Sequence, residues 1–484
     1  MADTLLDKDA LNRAQFGLSG DSNRTVVCVQ GLGYVGSAMA VATAAAWTPS
    51  DELCFDVIGV DLDTEQGRFR VGEIAAGRFP FGSLDDDLIA ATAAGHEASN
   101  LTATVNPQAF QLADVVVVDV HLDVSGNSSA PAAELDGFKH AIEVLGCYLK
   151  PEALVMVETT VPPGTCVNVV LPILQAAFKR RGLDAGAVRL AHSYERVMPG
   201  PDYLRSIRNF WRVYAASDDR AAHACERFLK AVIDTGRFPL RRMNSMVASE
   251  TAKVLENSYR AANIALMEEW GQFAEHNGID LFEVLEAIRD RPTHNNIRQP
   301  GFGVGGYCLT KDPLFPMISA DQYVPDAGLE FPFARLTVET NKRMPLRNLE
   351  RIESLLGGDL TGKVLCLLGL AYRSDVDDTR YSASEDFYRA AVSRGATVHC
   401  HDPIVSHWNE ACMQIGGGLP DPHGADVVVL AVPHRQYIDY DFESWLGGAT
   451  PLFYDCDNVL SAESRQRLRK IGCRVESTGR GLGL

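Results

Sequence analysis

Cys308 is the side chain whose setting best suits covalent chemistry. Five of the nine residues from Pro300 to Cys308 are glycine or proline, and such a loop brings backbone close to a ligand and offers its amides to an anion. A thiolate here can attack an aldehyde, and Asp312 can reach the thiolate or a hydrolytic water if the segment turns into helix. The alternative for an isolated cysteine is a buried, structural thiol.

A glycine pattern, GxGxxG, follows the apolar run Thr25–Gln30 and precedes an alanine-rich stretch. In such a strand–turn–helix unit the first glycine permits a tight bend, the second lets backbone approach a pyrophosphate, and the third lets helix pack on strand. The alternative is a turn that only tightens a strand–helix junction. The residues predicted to bind a dinucleotide are Gly31, Gly33, Tyr34, Val35 and Gly36.

Asp61 ends the second apolar run, Phe55–Val60. A carboxylate at this point binds the adenosine ribose hydroxyls and repels a 2′-phosphate, which predicts NAD rather than NADP as the cofactor. Asp61 lies thirty residues after Gly31, further than the usual spacing of about twenty. The first helix, or the loop Trp47–Asp56 that follows it, is therefore predicted to be extended.

The elements that position these residues are strands separated by helical spacers, which indicate parallel sheets covered on both faces. A stretch from about Asn244 to His276 lacks proline and predicts one long helix. The fold class is therefore α/β, with two Rossmann-like doubly wound parallel-sheet domains joined by a long central helix. The remaining predicted strands are 113–120, 153–157, 363–370, 397–400, 425–432 and 452–454.

These elements predict four parts of the chain. Residues 1–24 form an N-terminal extension, and residues 25–215 form the NAD-binding domain. Residues 216–340 form a central helical domain with the cysteine loop, and residues 341–484 form a carboxy-terminal α/β domain. A length of 484 residues agrees with two or three hydrophobic cores.

The composition of the chain argues against several classes of partner and cofactor. A net charge of −18 without a dense Lys/Arg run argues against nucleic acid. No apolar stretch is long enough for a signal peptide or a membrane span, which predicts a cytoplasmic protein. The eleven cysteines include no C-x-x-C pair, so neither a disulfide framework nor a metal site is predicted.

Six ordered segments resemble the UDP-glucose/GDP-mannose dehydrogenase family, from about Thr25 almost to the end of the chain. The family's amino-terminal GxGYVG is matched at Gly31. The other matching segments are Thr159-Thr-Val-Pro-Pro-Gly-Thr165, Tyr194-Glu-Arg-Val-Met-Pro-Gly200, the helical set Glu250, Lys253 and Asn257, the signature Gly303–Asp312, and the pair Gly369-Leu-Ala-Tyr-Arg373 with Asp377-Asp-Thr-Arg-Tyr-Ser382.

The resemblance implies an enzyme that transfers four electrons from one sugar carbon to two NAD molecules, oxidising a C6 alcohol to a carboxylate. It implies that Cys308 captures the aldehyde as a thiohemiacetal, which is oxidised to a thioester. Lys253 and Asn257, one turn apart on a helix face, stabilise the oxyanion. The residues implied to organise proton transfer and the hydrolytic water are Asp312, Glu195 and Thr160, of which Thr160 also lies at the cofactor.

The resemblance also implies a nucleotide-sugar site in the carboxy-terminal domain, where Arg373 and Arg380 pair with phosphate, although surface salt bridges are an alternative for both. In the family an arginine from a partner subunit completes the sugar site, and Arg291 or Arg298 lies in the matching stretch. The implied assembly is a homodimer or higher oligomer through the central helix. The substrate-binding set is Glu195, Arg196, Lys253, Asn257, Arg298, Gly305, Arg373 and Arg380.

The segments Glu195–Gly200 and Asn296–Gly301 look most like the branch acting on UDP-N-acetylhexosamines, such as UDP-ManNAc and UDP-GlcNAc, which implies polysaccharide biosynthesis. UDP-glucose or GDP-mannose remains an alternative substrate. A two-electron β-hydroxyacid dehydrogenase and a catalytically silent nucleotide-sugar-binding protein are further alternatives. NADH formed per sugar separates them: two, one or none.

The sequence departs from the family pattern at three places. A loop that usually reads like Val-Pro-Thr-Pro is Asp119-Val-His-Leu-Asp123 here, which is predicted to reshape the wall near the nicotinamide. Tyr307 replaces the common His or Ser before the cysteine, and Tyr194 replaces a proline before Glu195. These changes affect the expected substrate more than the expected reaction.

Overall fold

A computed structural model describes residues 12–19, 23–48, 50 and 52–484. The chain forms two compact units. The first comprises the described residues up to Val254 together with Phe315–Leu329, and the second comprises Leu255–Leu314 and Glu330–Leu484. Of the predicted N-terminal extension, residues 1–11 and 20–22 lie outside the described residues; the part that is described includes a 3₁₀ turn at Arg13–Phe16.

The first unit is built on an eight-stranded sheet and a small hairpin, β5–β6. The sheet order is β10-β9-β8-β7-β4-β1-β2-β3, and its pairings are parallel except for that of β8 with β9. The strands are β1 Thr25–Gln30, β2 Phe55–Val60, β3 Leu101–Thr104, β4 Val115–Val118, β5 Val124–Asn127, β6 Ala130–Ala133, β7 Leu154–Val157, β8 Arg189–His192, β9 Val213–Ala216 and β10 Arg241–Arg242.

Helices cover both faces of this sheet, because alternate residues of each strand point to opposite sides. Val27 and Val29 of β1 belong to one apolar cluster, and Val26 and Cys28 belong to the other. In chain order, the helices up to residue 323, not all of which belong to this unit, are α1 Tyr34–Ala44, α2 Glu65–Ala75, α3 Asp86–Glu97, α4 Leu135–Tyr148, α5 Leu171–Arg180, α6 Tyr203–Arg208, α7 Asp219–Val232, α8 Met246–Asn277, α9 Leu281–Arg289 and α10 Phe315–Tyr323.

Helix α8 is the long helix that the sequence predicts, and the boundary between the units falls within it, after Val254. Helix α9 belongs to the second unit and α10 to the first. Short turns of other helical types occur at Pro107–Gln111, Cys166–Val170, Ala185–Ala187, Pro292–His294, Asp312–Leu314 and Pro325–Ala327.

The second unit is built on a five-stranded parallel sheet of order β12-β11-β15-β16-β17, with a small antiparallel pair, β13–β14. Its strands are β11 Val364–Leu368, β12 Thr397–His401, β13 His407–Trp408, β14 Met413–Gln414, β15 Val427–Leu430, β16 Leu452–Asp455 and β17 Val475–Ser477. Its further helices are α11 Pro332–Leu355, α12 Ala383–Ser393, α13 Arg435–Ile438, α14 Phe442–Leu446 and α15 Ala462–Lys470.

The prediction of two parallel-sheet, Rossmann-like units is confirmed. The predicted strands are found: β1 and β2 match the prediction, β12 and β16 extend one residue further, and the others are shorter by one to four residues. The sequence did not predict the β5–β6 hairpin or strands β3, β8, β9, β10, β13, β14 and β17. Helix α1 ends at Ala44, so the spacing to Asp61 is lengthened after the helix, where Trp47 and Leu53 form a bridge. In the part of the chain that the structure describes, no helix is long and apolar enough to cross a membrane.

Candidate active site

The turn after β1 leaves space for a ligand at one glycine and none at the other two. A Cβ atom on Gly31 would lie 2.5 Å from the carbonyl oxygen of Asp119, and one on Gly36 would lie 1.9 Å from the carbonyl oxygen of Gly31. A Cβ on Gly33 would meet nothing within 4 Å, and no side chain caps helix α1 at Gly33. An uncapped helix N-terminus beside open space fits the pyrophosphate of a dinucleotide.

The side chains around this turn are held in place. The ring of Tyr34 stacks on Phe81 with centroids 4.0 Å apart, and the carbonyl of Tyr34 accepts a hydrogen bond from the Tyr203 hydroxyl at 2.6 Å. Val35 is the second residue of α1. These contacts orient the first turn of the helix, whose amides face the expected pyrophosphate.

Asp61 follows β2, as predicted, and its carboxylate is fixed by two donors. Oδ2 accepts from Arg70 Nε at 2.8 Å, and Oδ1 accepts from its neighbour's amide, Leu62 N, at 2.8 Å. The side chain is 6% exposed. Arg70 was not predicted to take part; its hydrogen bond fixes the orientation of the carboxylate at the end of the sheet where a ribose would bind.

The loop after β7 is anchored by Glu250, whose two carboxylate oxygens accept from the amides of Gly164 at 2.6 Å and Cys166 at 2.8 Å. Burial raises the pKa of Glu250 to about 7, although these two amides oppose the shift. Thr159 Oγ1 donates to the carbonyl of Val118 at 3.1 Å. Thr160, half-buried, is therefore carried by a loop that is tied down on both sides.

Lys253 and Glu195 meet in the first unit. Lys253 Nζ lies 2.8 Å from the Glu195 carbonyl oxygen and 3.4 Å from its Oε1, and both side chains are nearly buried. Tyr194 stands where a proline is expected. The centre of its aromatic ring lies 5.6 Å from Lys253 Nζ and 5.2 Å from the Arg196 guanidinium, and a proline could not make these contacts with two cations. Arg196 is further held by the Trp211 carbonyl at 2.6 Å.

In the second unit, the glycines of the cysteine loop pack directly on other segments. A Cβ on Gly303 would lie 2.6 Å from Ala383 Cβ, and one on Gly305 would lie 2.8 Å from the Tyr381 carbonyl oxygen. Gly306 has φ +82° and lies against the ring of Tyr372. The loop needs glycine at these positions because a side chain would collide with the neighbouring segments. Gly305 packs directly against the backbone of Tyr381.

Cys308 and Asp312 are joined by one helical turn, since the Asp312 amide donates to the Cys308 carbonyl at 2.9 Å. Asp312 is fully buried. Its Oδ2 accepts from Asn257 Nδ2 at 2.7 Å, and its Oδ1 accepts from Lys311 Nζ at 3.0 Å. Cys308 is half-buried. The structure therefore brings together three residues implied by the resemblance and adds Lys311, which sequence reasoning missed.

The Arg380 guanidinium lies beside this loop, 5.8 Å from the centre of the Tyr307 ring. Partial desolvation, together with the like charges of Arg298 and Arg373, lowers the pKa of Arg260, and Cys308 is among the groups that act on it in the opposite direction. Arg380 is paired with Asp378 at 2.7 Å. Arg260 was not predicted, and the signal that could have found it is its place one turn after Asn257 on α8. Arg291, by contrast, begins the 3₁₀ turn at Pro292–His294.

Models of one protein family match most of the chain in three stretches. The NAD-binding domain of the UDP-glucose/GDP-mannose dehydrogenase family matches residues 25–230, its central domain matches 247–343, and its UDP-binding domain matches 366–462. The chain belongs to this family.

Individual relatives agree with this assignment. A UDP-N-acetyl-D-mannosamine dehydrogenase from Methanocaldococcus jannaschii is 29% identical over 459 residues, covering 94% of this chain and 96% of that protein. A UDP-glucose 6-dehydrogenase from Rickettsia conorii is 24% identical over 386 residues, covering 76% and 82%. The solved UDP-D-ManNAc dehydrogenase from Pyrococcus horikoshii has the same fold, with a TM-score of 0.78, 24% identity and coverage of 94% and 99%.

As a member of this family, the protein is an NAD-dependent nucleotide-sugar dehydrogenase. The open position at Gly33, the uncapped N-terminus of α1 and the carboxylate of Asp61 fit NAD. When bound, NAD accepts a hydride from the substrate carbon.

The loop that carries Arg373 in this dehydrogenase is fixed by two residues that sequence reasoning missed. Asp402 accepts from the amides of Leu370 at 2.7 Å and Ala371 at 3.1 Å, and its Oδ2 lies 3.1 Å from His434 Nε2. His434 Nδ1 accepts from the Asp375 amide at 3.0 Å. Burial by itself would raise the pKa of Asp402, but the hydrogen bonds from His434 and from the backbone outweigh it, so the pKa is lowered.

Proposed function

We propose that the protein is a UDP-N-acetylhexosamine 6-dehydrogenase that oxidises the C6 alcohol to a carboxylate in two hydride transfers, through covalent intermediates on Cys308. The observation that carries the proposal is the helical turn that joins Cys308 to a fully buried Asp312, which Asn257 and Lys311 hold with two hydrogen bonds. A thiol that only filled a core would need no buried carboxylate one helical turn further along the chain.

The first two-electron oxidation of the alcohol gives an aldehyde. The Cys308 sulfur adds to the aldehyde carbon and the carbonyl oxygen takes up a proton, giving a thiohemiacetal. Loss of a second hydride and of that proton gives a thioester, and water then releases the carboxylate and restores the thiol. Two hydrides leave one carbon in total. Covalent capture matters because a free aldehyde could dissociate between the two oxidations.

Lys253 and Asn257 stabilise the negative charge that develops on the substrate oxygen. The two residues lie one turn apart on α8. Lys253 is pre-oriented by the Glu195 carbonyl, and Asn257 by Asp312. These contacts support roles in which both donors are already in place before substrate binds.

Asp312, Glu195 and Thr160 organise proton transfer and the hydrolytic water. Asp312 acts as an acceptor, because both of its oxygens receive hydrogen bonds from cationic or amide donors. Glu195 contacts Lys253, so a proton can pass between them without a long movement. Thr160 lies on the loop after β7, which is anchored by Glu250.

The nucleotide is a UDP, and its diphosphate pairs with the guanidiniums of Arg373 and Arg380, to which we add Arg260. The match of the family's UDP-binding domain supports this choice. The name of the M. jannaschii relative, which acts on UDP-N-acetyl-D-mannosamine, supports an N-acetylhexosamine. UDP-glucose is the second candidate, because the R. conorii relative is named for it.

We further propose a cytoplasmic homodimer that supplies a sugar acid for polysaccharide biosynthesis. Large apolar side chains lie exposed along the part of α8 in the second unit: Leu255, Tyr259, Leu266, Trp270 and Phe273. A stripe of this kind is typical of a subunit interface. A partner subunit would then supply Arg291 or Arg298 to the sugar site. We also propose that the chain is organised into the four parts predicted from the sequence, residues 1–24, 25–215, 216–340 and 341–484.

A panel of nucleotide sugars incubated with NAD tests the proposal, with NADH counted against sugar acid. We expect two NADH per acid, with the highest kcat/KM on a UDP-N-acetylhexosamine. Cys308→Ala should lower acid formation by about 10³-fold or more while NAD binding is unchanged. Cys147→Ala, an exposed cysteine on α4, is the matched control and should keep full activity.

One NADH per sugar would indicate a two-electron alcohol dehydrogenase, and none would indicate a binding protein. An unimpaired acid yield in Cys308→Ala would overturn the covalent mechanism. A higher kcat/KM on UDP-glucose or GDP-mannose would overturn only the substrate.

A further inference from the structure

Two acidic residues at the cofactor end of the first sheet have no role in the mechanism above. Asp119 directly follows β4, and Glu158 directly follows β7. These strands are parallel neighbours, and β4 also pairs with β1, which leads into the dinucleotide turn. Because the carboxyl ends of parallel strands meet at one edge of a sheet, both acids lie at the edge where the cofactor binds.

Asp119 presses against the turn itself. Its carbonyl oxygen would be 2.5 Å from a Cβ on Gly31, and its own Cβ would be 3.1 Å from a Cβ on Gly36. A negative charge on Asp119 would therefore lie close to the backbone that receives the pyrophosphate, in a region of reduced dielectric. Two like charges at such short range oppose binding.

The two carboxyl groups need a proton between them. Asp119 Oδ2 and Glu158 Oε2 are both shielded from solvent, and no donor among the described residues reaches either atom. Asp119 and Glu158 directly follow Val118 and Val157, which pair in register on β4 and β7, so the two carboxyl groups extend from neighbouring positions at the sheet edge. Because like charges repel strongly at adjacent, shielded positions, two such carboxyl groups do not both ionise, and one of them holds a proton.

The surrounding charges decide which group holds the proton. Glu158 Oε1 is paired with Arg212, and both of these side chains are almost fully buried. Burial, followed by the charges of Glu158 and Glu195, raises the pKa of Asp119 well above its usual range. Burial also raises the pKa of Glu158, but Arg212 opposes that shift. Asp119 is therefore the protonated partner, and Glu158 is the anion that Arg212 balances.

Among the described residues, the other groups near Asp119 are either uncharged or paired with other side chains. Gly31 and Gly36 face it from the turn and carry no side-chain charge. On its own loop, His121 Nε2 lies 2.7 Å from Asp123 Oδ2. Beyond Glu158, the segment after β8 brings Glu195, which pairs with Lys253.

We propose that Asp119 and Glu158 share a single proton beside the dinucleotide turn, and that this proton is required for tight NAD binding. With the proton in place, Asp119, Glu158 and Arg212 together are neutral. Loss of the proton to solvent at alkaline pH leaves one uncompensated negative charge against the pyrophosphate site. Asp119 thus acts as a positioning residue that the usual Val-Pro-Thr-Pro-like loop of the family lacks.

The test is the NAD dissociation constant, measured without sugar by titration calorimetry from about pH 6 to about pH 10. In the wild-type protein we expect the constant to rise about tenfold or more toward the alkaline end. Asp119→Asn keeps the shape and a hydrogen-bond donor but cannot ionise, so its dissociation constant should match wild type at neutral pH and stay flat. Asp123→Asn, on the same loop, should retain the wild-type rise.

Infrared spectroscopy provides an independent measurement. The C=O stretching band of protonated carboxyl groups in the wild-type protein should lose one component in Asp119→Asn, and that component should appear in the difference spectrum of the two proteins. The melting temperature of each variant establishes that it is folded. Three results would each overturn the proposal. The first is an NAD dissociation constant of the wild-type protein that does not change with pH, and the second is an alkaline rise of this constant that persists in Asp119→Asn. The third is an infrared spectrum that the substitution leaves unchanged.

Discussion

The two parallel sheets of this protein prepare their first loops for anions in opposite ways. After β1, helix α1 begins without a capping side chain and without an acidic residue in its first turn. After β11, the next helix is α12, whose N-terminus is capped by the Ser382 side chain and carries Glu385 and Asp386 in its first turn. Only the first helix leaves its positive end available to a phosphate.

The two loops also differ in whether a protein side chain already occupies their backbone amides. In the second unit, the amides of Leu370 and Ala371 already donate to the Asp402 carboxylate. In the first unit, the corresponding turn has open space at Gly33. The first sheet therefore offers an anionic ligand backbone amides and a helix dipole, whereas the amides of Leu370 and Ala371 are occupied and our proposal assigns phosphate binding in the second unit to arginine side chains. Similar topology does not imply a similar way of binding phosphate.

Gly33→Ala is the change with the largest expected effect on this contrast. The φ of Gly33 is −67° and its added Cβ meets no protein atom within 4 Å, so the melting temperature should hold. The methyl group enters the space for the pyrophosphate, and we expect NAD affinity to fall about 100-fold. UDP affinity, measured by calorimetry, should not change.

Gly36→Ala is the matched comparison. Its Cβ would lie 1.9 Å from the Gly31 carbonyl oxygen, so this variant should lose both NAD affinity and thermal stability. Equal melting temperatures for Gly36→Ala and wild type, or full NAD affinity in Gly33→Ala, would show that the turn does not bind the cofactor as described.

In the second unit, Arg373→Ala should weaken UDP binding by about 10- to 100-fold, the usual contribution of a charge-assisted hydrogen bond. Arg380→Ala should have a smaller effect, because Arg380 is already paired with Asp378, which competes with the phosphate for its guanidinium. NAD affinity should be unchanged in both. Equal losses of UDP affinity would contradict the idea that Asp378 competes with phosphate for Arg380.

The smallest expected effect compares two buried glutamates on α8, one in each unit. Burial raises the pKa of Glu250 and that of Glu268 to about 7 each. A raised folded-state pKa contributes stability that is present below the unfolded value, about 4.5, and is lost as pH rises through about 7. The melting temperature of wild type should therefore fall over this range.

Glu268→Gln should reduce this fall, because a neutral side chain is buried at no charge cost. Glu250→Gln should also reduce it, but it should lower the melting temperature by a few degrees at every pH, since one of the amides of Gly164 and Cys166 loses an acceptor oxygen. A slope with pH that is unchanged in both variants would assign the loss of stability to other groups.

Much of the fold and part of the site follow from the sequence alone. Both ends of strands β1 and β2 are predicted correctly, because each strand is an apolar run that is bounded by polar residues or glycine. Helix α8 is predicted because it lacks proline and ends at Asn277-Gly278. The turn that joins Cys308 to Asp312 is also local, since a spacing of four residues suffices to place them together once a helix begins.

The tertiary structure decided the contacts between residues distant along the chain. Asn257 reaches Asp312 across 55 residues, and Asp402 reaches His434 across 32. Asp119 and Glu158 meet only because β4 and β7 are neighbours in the sheet. The order in which parallel strands pair is set by packing of helices on both faces of the sheet, and no local pattern encodes it. Hence the sequence determined which residues we propose for the chemistry, and the packed sheet determined which charges surround them.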